Sequence, residues 1–131
     1  MSNVISRQVI SSVGIDIGTT TTNVIFSQLT VENRASNFTV PRISIVDKQV
    51  VYKSDIYFTP LLSPTEIDTE AIKKIVSEEY RKAGMTPHMV HSGAVIITGD
   101  MARKKNANQV LKALSDSSGD FVVAIAGPGL E

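Results

Sequence analysis

The sequence predicts an α/β domain: a five-stranded mixed sheet flanked by helices, with its first three strands antiparallel and its first, fourth and fifth strands parallel. Three observations predict it. Apolar residues Val13, Ile15 and Ile17 are followed, after a short turn, by a second run rich in Val, Ile and Phe, as in two closely joined antiparallel strands. Residues 68–84 carry the marks of a helix at both ends. Two all-apolar runs, residues 94–97 and 121–127, each follow a helical pattern, which suits parallel strands reached by crossovers.

The first strand sets the chemistry. At period two, Val13, Ile15 and Ile17 share one face, while Gly14, Asp16 and Gly18 share the other, so the carboxylate stands between positions without side chains. Asp is depleted in strands and Gly weakens them. Two readings stand: a ligand approaches the backbone here, or the strand ends in a Gly turn with Asp16 bonded to the turn amides. The next residues, Thr19, Thr20, Thr21 and Thr22, offer hydroxyls beside backbone N–H groups, which suits phosphate oxygens; Thr also fits a twisted hairpin. A carboxylate repels a phosphate unless a cation lies between them. Mg²⁺ fits that place, because it takes oxygen ligands and is held by one or two carboxylates plus substrate phosphates.

The second strand covers residues 23–29, and residues 30–41, "TVENRASNFTVP", read as a polar connection. Residues 42–46 and 49–58 are two β-like runs around Asp47 and Lys48, either a hairpin or a bent third strand. In the helix that follows, Asp68 is the expected N-cap, Ile67 and Ile72 form a hydrophobic staple, Glu70 suits the positive dipole end, and Gly84 marks the stop. Ile72, Ile75, Val76, Tyr80 and Ala83 give it one apolar stripe, which is core. Asn106 with Gln109 resembles a capping box for a second helix whose inner face is Val110, Leu111 and Leu114. Ligands of such sheets sit beyond the carboxyl ends of the parallel strands. Here those tips are residues 16–22, Thr98-Gly99-Asp100 and Gly127-Pro128-Gly129, all on one rim.

Other polar clusters have plainer expected roles. Arg103, Lys104 and Lys105 contact phosphate or an acidic partner, or form a solvated face. His88 and His91 lack a nearby carboxylate, so surface or turn roles are expected. Glu66, Asp68 and Glu70 read as helix-start chemistry. Asp100 shares the rim with Asp16 and is either a second metal-bracketing carboxylate or a turn residue.

The 131 residues make one domain by length, with 13 basic and 13 acidic residues and no Cys. The balanced charge gives no reason to expect nucleic acid or an anionic membrane as partner. The absence of Cys removes thiolate metal sites and disulfides, which suits a cytoplasmic protein. The opening "MSNVISRQVISSV" is polar and broken by Asn3, Arg7 and Gln8, unlike a signal peptide.

The motif "GIDIGTTTTNVIF" resembles the first phosphate motif of the actin, sugar kinase and Hsp70 superfamily of ATPases, whose sheet is related to that of ribonuclease H. The order of strands and helices is that of the first half of its N-terminal domain. "DKQVVYKSDIYFTPLL", "IDTEAIKKIVSEEYRKAG" and "VIITGDMARKKNANQVLKALS" resemble one branch, the reactivating factors of ethanolamine ammonia-lyase. The resemblance implies that Asp16 holds Mg²⁺, through water, and that Gly18, Thr19 and Thr20 approach the β- and γ-phosphates of ATP, with Thr21 and Thr22 beside them. It also implies that residues 1–131 are the N-terminal part of an actin-like ATPase domain, lacking the second phosphate loop, the adenosine pocket and the second domain. No catalytic residue is assigned within it.

The function implied is that of an ATP-driven chaperone, which docks on a cobalamin-dependent lyase and releases its damaged cofactor, in the cytoplasm or at a bacterial microcompartment. Apolar sheet surface left bare in such a part is expected to favour self-association. Two alternatives stand beside it: a small-molecule or polyphosphate kinase or phosphatase with Asp100 as base, and a ribonuclease H-like nuclease, which the balanced charge disfavours.

Overall fold

The computed structural model describes the backbone of residues 4–36, 39–118 and 122–125, and the side chains within residues 6–34, 43–101 and 103–115. β1 (Val4–Ile17), β2 (Thr21–Ser36) and β3 (Thr39–Lys53) form an antiparallel meander, and β4 (Tyr57–Phe58) adds a short pairing to β2. β5 (Leu61–Ser63) and β6 (Glu66–Ile67) make a separate two-stranded ladder before α1 (Thr69–Ala83). β7 (Ser92–Ile97), α2 (Ala107–Ser118) and β8 (Val122–Ile125) complete the described chain. The main sheet runs β3-β2-β1-β7-β8, with β1, β7 and β8 parallel, as the sequence predicts.

The alternation in β1 decides how the layers stack. Val13, Ile15 and Ile17 are buried together with Val24, Phe26, Val95 and Ile97, and α1 and α2 close over that face with Ile72, Val76, Tyr80, Val110, Leu111 and Leu114. Phe26 anchors the aromatic part of this core, edge-on to Tyr80 at 5.0 Å and to Tyr52 at 6.0 Å between ring centroids. The opposite face carries Gly14, Asp16, Ala94 and Ile96; Ile96 is 39% exposed, so among the described residues β7 is covered on one face and not on the two that its apolar run suggests.

The helix marks in the sequence hold for α1. The Asp68 carboxylate accepts from the Ala71 N–H at 3.1 Å, and Gly84 adopts a left-handed φ of 70°, where a Cβ would be strained, so that its N–H can cap the last turn. Two expectations need correction, at residues 30–41 and at Asn106. Residues 30–41 are no connection: β2 continues to Ser36 and β3 begins at Thr39, because the polar residues there alternate and pair across strands, as Arg7 does with Glu32. The polar N-terminal segment belongs to β1, from Val4 onward. Of the two readings left open around Asp47 and Lys48, the bent strand holds: β3 runs through them, absorbing one register shift opposite Thr30 and Val31. Asn106 has a different task from a capping box. Its side chain accepts from Ile67 N–H at 2.8 Å and donates to Ile67 C=O at 2.7 Å, tying β6 to the start of α2.

Glu79 escaped the periodicity reading altogether. It lies on the inner side of α1, fully buried, where Tyr52 donates to its Oε2 at 2.6 Å, Tyr57 donates to Oε1, and Lys82 approaches Oε1 at 3.6 Å. Burial pushes the Glu79 carboxyl upward, but the hydrogen bonds from Tyr52 and Tyr57 and the nearby Lys82 outweigh it and hold the group below the usual carboxylate range. The same bonds raise both tyrosines. This cluster clamps β3 and β4 to α1. A carboxyl with a depressed folded-state value stabilises the fold above its unfolded value, and that contribution is lost as pH falls through the folded one. Glu79→Gln is therefore expected to lower stability by about 2 kcal/mol at neutral pH. It should also lose less further stability than the wild type between about pH 5 and about pH 2. Urea denaturation across that range checks both; parallel pH profiles for the two proteins would contradict the clamp.

Candidate functional site

The candidate site is the turn between β1 and β2, at the carboxyl end of the parallel strands. Ile17 and Thr22 are the last paired residues, and the Gly18 N–H donates across the turn to Thr21 C=O at 2.9 Å. A Cβ at Gly18 would lie 3.2 Å from that same carbonyl oxygen and 3.7 Å from Thr98 Oγ1, so the glycine allows the close approach of turn and neighbouring strand.

Thr59 braces this turn, and no signal in its sequence neighbourhood marks it for the task. Its N–H donates to Thr20 C=O at 2.9 Å, its hydroxyl donates to Gly18 C=O at 2.8 Å, and the Thr22 hydroxyl lies 2.8 Å from the Thr59 hydroxyl. With Thr59 Oγ1 donating to Gly18, Thr22 Oγ1 is the donor of that last bond. β7 adds a brace from the other side. Thr98 N–H donates to Ile17 C=O at 3.0 Å, and Asp100 N–H donates to Thr19 Oγ1 at 3.1 Å.

The predicted site residues divide accordingly. Asp16, Thr19, Thr20 and Thr21 are exposed at the tip, and Gly18 is half-buried beneath them. Thr22 is fully buried on the helix-facing side, with its hydroxyl bonded to Thr59. Asp16 lines the end of a trough of about 460 Å³ on the open sheet face, whose lining includes Gly14, Asn23, Ile25, Lys48 and Ile96. The tips of β1 and β7 do come together; Gly127, Pro128 and Gly129 lie outside the described residues.

Asp100 joins the rim through its backbone. It belongs to the 3-10 turn Gly99–Arg103, and it lines a separate depression with Pro64, Thr65, Arg103, Lys104 and Lys105, whereas the trough that Asp16 lines does not include it. Lys104 Nζ donates to Pro64 C=O, and Lys105 bonds Thr65 C=O through its N–H at 3.2 Å and Glu66 through its side chain at 3.1 Å. These lysines thus hold the β5–β6 ladder. His91 Nδ1 accepts from the Ser11 N–H at 3.2 Å, and the His91 N–H donates to Ser11 C=O at 2.9 Å, securing the start of the β1–β7 pairing.

The donor set suits a hydrated divalent cation shared with phosphates. One exposed carboxylate beside three exposed threonines supplies oxygen ligands only, and among the described residues no group of three or more His, Cys, Asp or Glu gathers to hold a bare metal ion. Mg²⁺ together with a polyphosphate fits this tip better than Mg²⁺ alone.

The fold is that of the actin-like ATPases. A Ppx/GppA family member from Aquifex aeolicus superposes with a TM-score of 0.53 at 17% identity, covering 92% of this chain and 36% of that one. An exopolyphosphatase from Cytophaga hutchinsonii gives 0.51 at 11% identity, over 89% and 34%. Within that fold class the sequence is more specific: the model of the ethanolamine utilisation protein EutA family matches residues 8–131, and the chain belongs to that family. It is 48% identical over 126 residues to the ethanolamine ammonia-lyase reactivase EutA of Escherichia coli (strain K12), and 47% identical over the same length to that of Salmonella typhimurium. The chain spans 27% of the length of these curated relatives.

The bracing of the turn is testable without any ligand. Thr59→Val keeps the shape but removes both hydroxyl bonds, leaving Gly18 C=O and the buried Thr22 hydroxyl without their partner. Chemical denaturation should show a loss of about 2 kcal/mol. A loss below about 0.5 kcal/mol would mean that the turn holds without Thr59.

Proposed function

We propose that these 131 residues are the first part of an ATP-dependent reactivating chaperone, which restores inactivated adenosylcobalamin-dependent ethanolamine ammonia-lyase by releasing its damaged cobalamin. Family membership and the reactivase relatives support the class of function. The observation that carries the nucleotide role is the exposed tip itself: Asp16, Thr19, Thr20 and Thr21 are all exposed at the end of β1, on a turn braced from both sides, with the Thr19 hydroxyl also accepting from the Asp100 N–H.

In this reading Asp16 holds the cation through water, and the Gly18-Thr19-Thr20 stretch approaches the β- and γ-phosphates, with Thr21 beside it. Thr22 contributes from below, by fixing Thr59 and hence the turn. Bound ATP with Mg²⁺ supplies a ligand of differential affinity for two domain arrangements, and that difference drives cofactor exchange. The chain's own residues bind and position. Pre-organisation by Thr59 and Asp100 N–H means that little ordering of the turn remains to be done on binding.

Asp16→Asn tests the assignment in the full-length protein. The two side chains are nearly isosteric and Asp16 is exposed, so the fold should be unaffected. The amide keeps an oxygen ligand but loses the charge. Nucleotide affinity should therefore fall about tenfold or more with Mg²⁺ present and change little without it. Thermal denaturation and ATP titration with and without Mg²⁺ check this. Lost stability with unchanged metal dependence would make Asp16 a turn residue.

The open sheet face adds a second expectation. Ile45 and Ile96, 62% and 39% exposed, line the trough with Ile25 and Leu29, so the 131-residue chain by itself should self-associate through this face. Sedimentation over a concentration series should show dimers or larger species, and Ile45→Lys should suppress them. A monomer at every concentration would contradict the expectation.

A further inference from the structure

The outer parts of β1, β2 and β3 run beyond the rest of the sheet. β7 pairs with β1 only at residues 12–17, so among the described residues the first half of β1 is bonded to β2 alone. Residues 6–9 and 43–51 are exposed. The result is a three-stranded ribbon with water on both faces and on its β3 edge.

On the face turned toward the helix side, one carboxylate organises the charges. Glu32 Oε2 accepts from Arg7 Nε at 3.0 Å and Oε1 accepts from Arg34 Nε at 2.5 Å. The Glu32 side chain is 3% exposed, while those of Arg7 and Arg34 are 69% and 60% exposed. The hydrogen bonds from Arg34 and Arg7 hold the Glu32 carboxyl below the usual range, so it stays ionised. Each guanidinium is anchored by its Nε, and among the described residues the terminal nitrogens of both forks are left for an incoming acceptor.

By backbone register Arg42 of β3 is paired with Arg34, which brings a third arginine position to this part of the ribbon. The whole chain is electrically balanced, so this local excess of arginine is a feature of the ribbon and not of the composition. Val9, 58% exposed, lies two residues along the same face of β1 from Arg7 and gives the patch an apolar border.

We propose that this ribbon is a docking arm for a carboxylate-bearing protein surface, which Arg7 and Arg34 engage from their common anchor on Glu32. The partner is the lyase, so the inference rests on the reactivase reading above. The arm lies at the opposite end of β1 from the Asp16 tip, which leaves the nucleotide turn free while the lyase is held.

Surface plasmon resonance on immobilised ethanolamine ammonia-lyase tests it with three proteins: the wild type, Arg7→Gln/Arg34→Gln, and the triple variant that adds Glu32→Gln. The triple variant removes the cluster without stranding a buried carboxylate, so it keeps the test sound if the double variant fails to fold. Both variants are expected to bind roughly tenfold more weakly than the wild type. Wild-type affinity should fall between about 0.05 M and about 0.3 M salt, and triple-variant affinity should fall much less. ATP affinity should be the same in all three. A triple variant that binds the lyase as the wild type does overturns the docking arm and leaves the reactivase reading intact. A wild type that does not bind the lyase at all overturns both.

Discussion

The rest of the structure depends on complete burial of alternate residues in β1. Val13, Ile15 and Ile17 are each no more than 2% exposed, held between β2 and β7 and beneath two helices. Burying three branched apolar side chains is worth several kcal/mol, and a one-residue slip of register would expose all of them and bury Asp16 instead. That constraint fixes the carboxylate on the open side, one residue from the strand end. The position of the candidate site is thus a by-product of core packing.

Around this strand the polar interactions brace the chain where packing does not. Thr59 and Asp100 N–H hold the turn from its two sides; Asn106 and Lys105 hold the β5–β6 ladder against α2; Glu79 with Tyr52 and Tyr57 ties the meander to α1. Each joins segments far apart in sequence. A rigid turn with exposed hydroxyls is the arrangement a phosphate-binding function requires, because groups already in place lose little freedom when a ligand arrives.

The elements that sequence alone reveals are those whose signal is local. Asp68 and Gly84 bound α1 by chemistry that acts within one turn of the helix, and the alternation around Asp16 needs no knowledge of neighbours. What stays hidden depends on partners brought from elsewhere. Residues 30–41 look like a polar loop until Arg7 is seen across from Glu32, and Asn106 looks like a cap until Ile67 is beside it. Glu79 interrupts the apolar stripe of α1, and only the two tyrosine hydroxyls, from β3 and β4, explain why a carboxylate belongs in the core. Within the site, the Asp16 tip was legible, while the inward direction of Thr22 and the part played by Thr59 follow from a pairing 37 residues apart in the chain.

The central claim is that the braced turn after β1 receives the phosphates of a Mg²⁺-bound nucleotide. Amide hydrogen exchange on the full-length protein, read residue by residue with Mg²⁺ alone and with Mg²⁺ and ATP, tests it most directly. Added protection is expected at Thr19, Thr20 and Thr21 only when both are present, with the amides of Gly18, already bonded to Thr21, and of Thr59, already bonded to Thr20, unchanged. Protection that appears instead at Arg103, Lys104 and Lys105, with the turn unaffected, would contradict it.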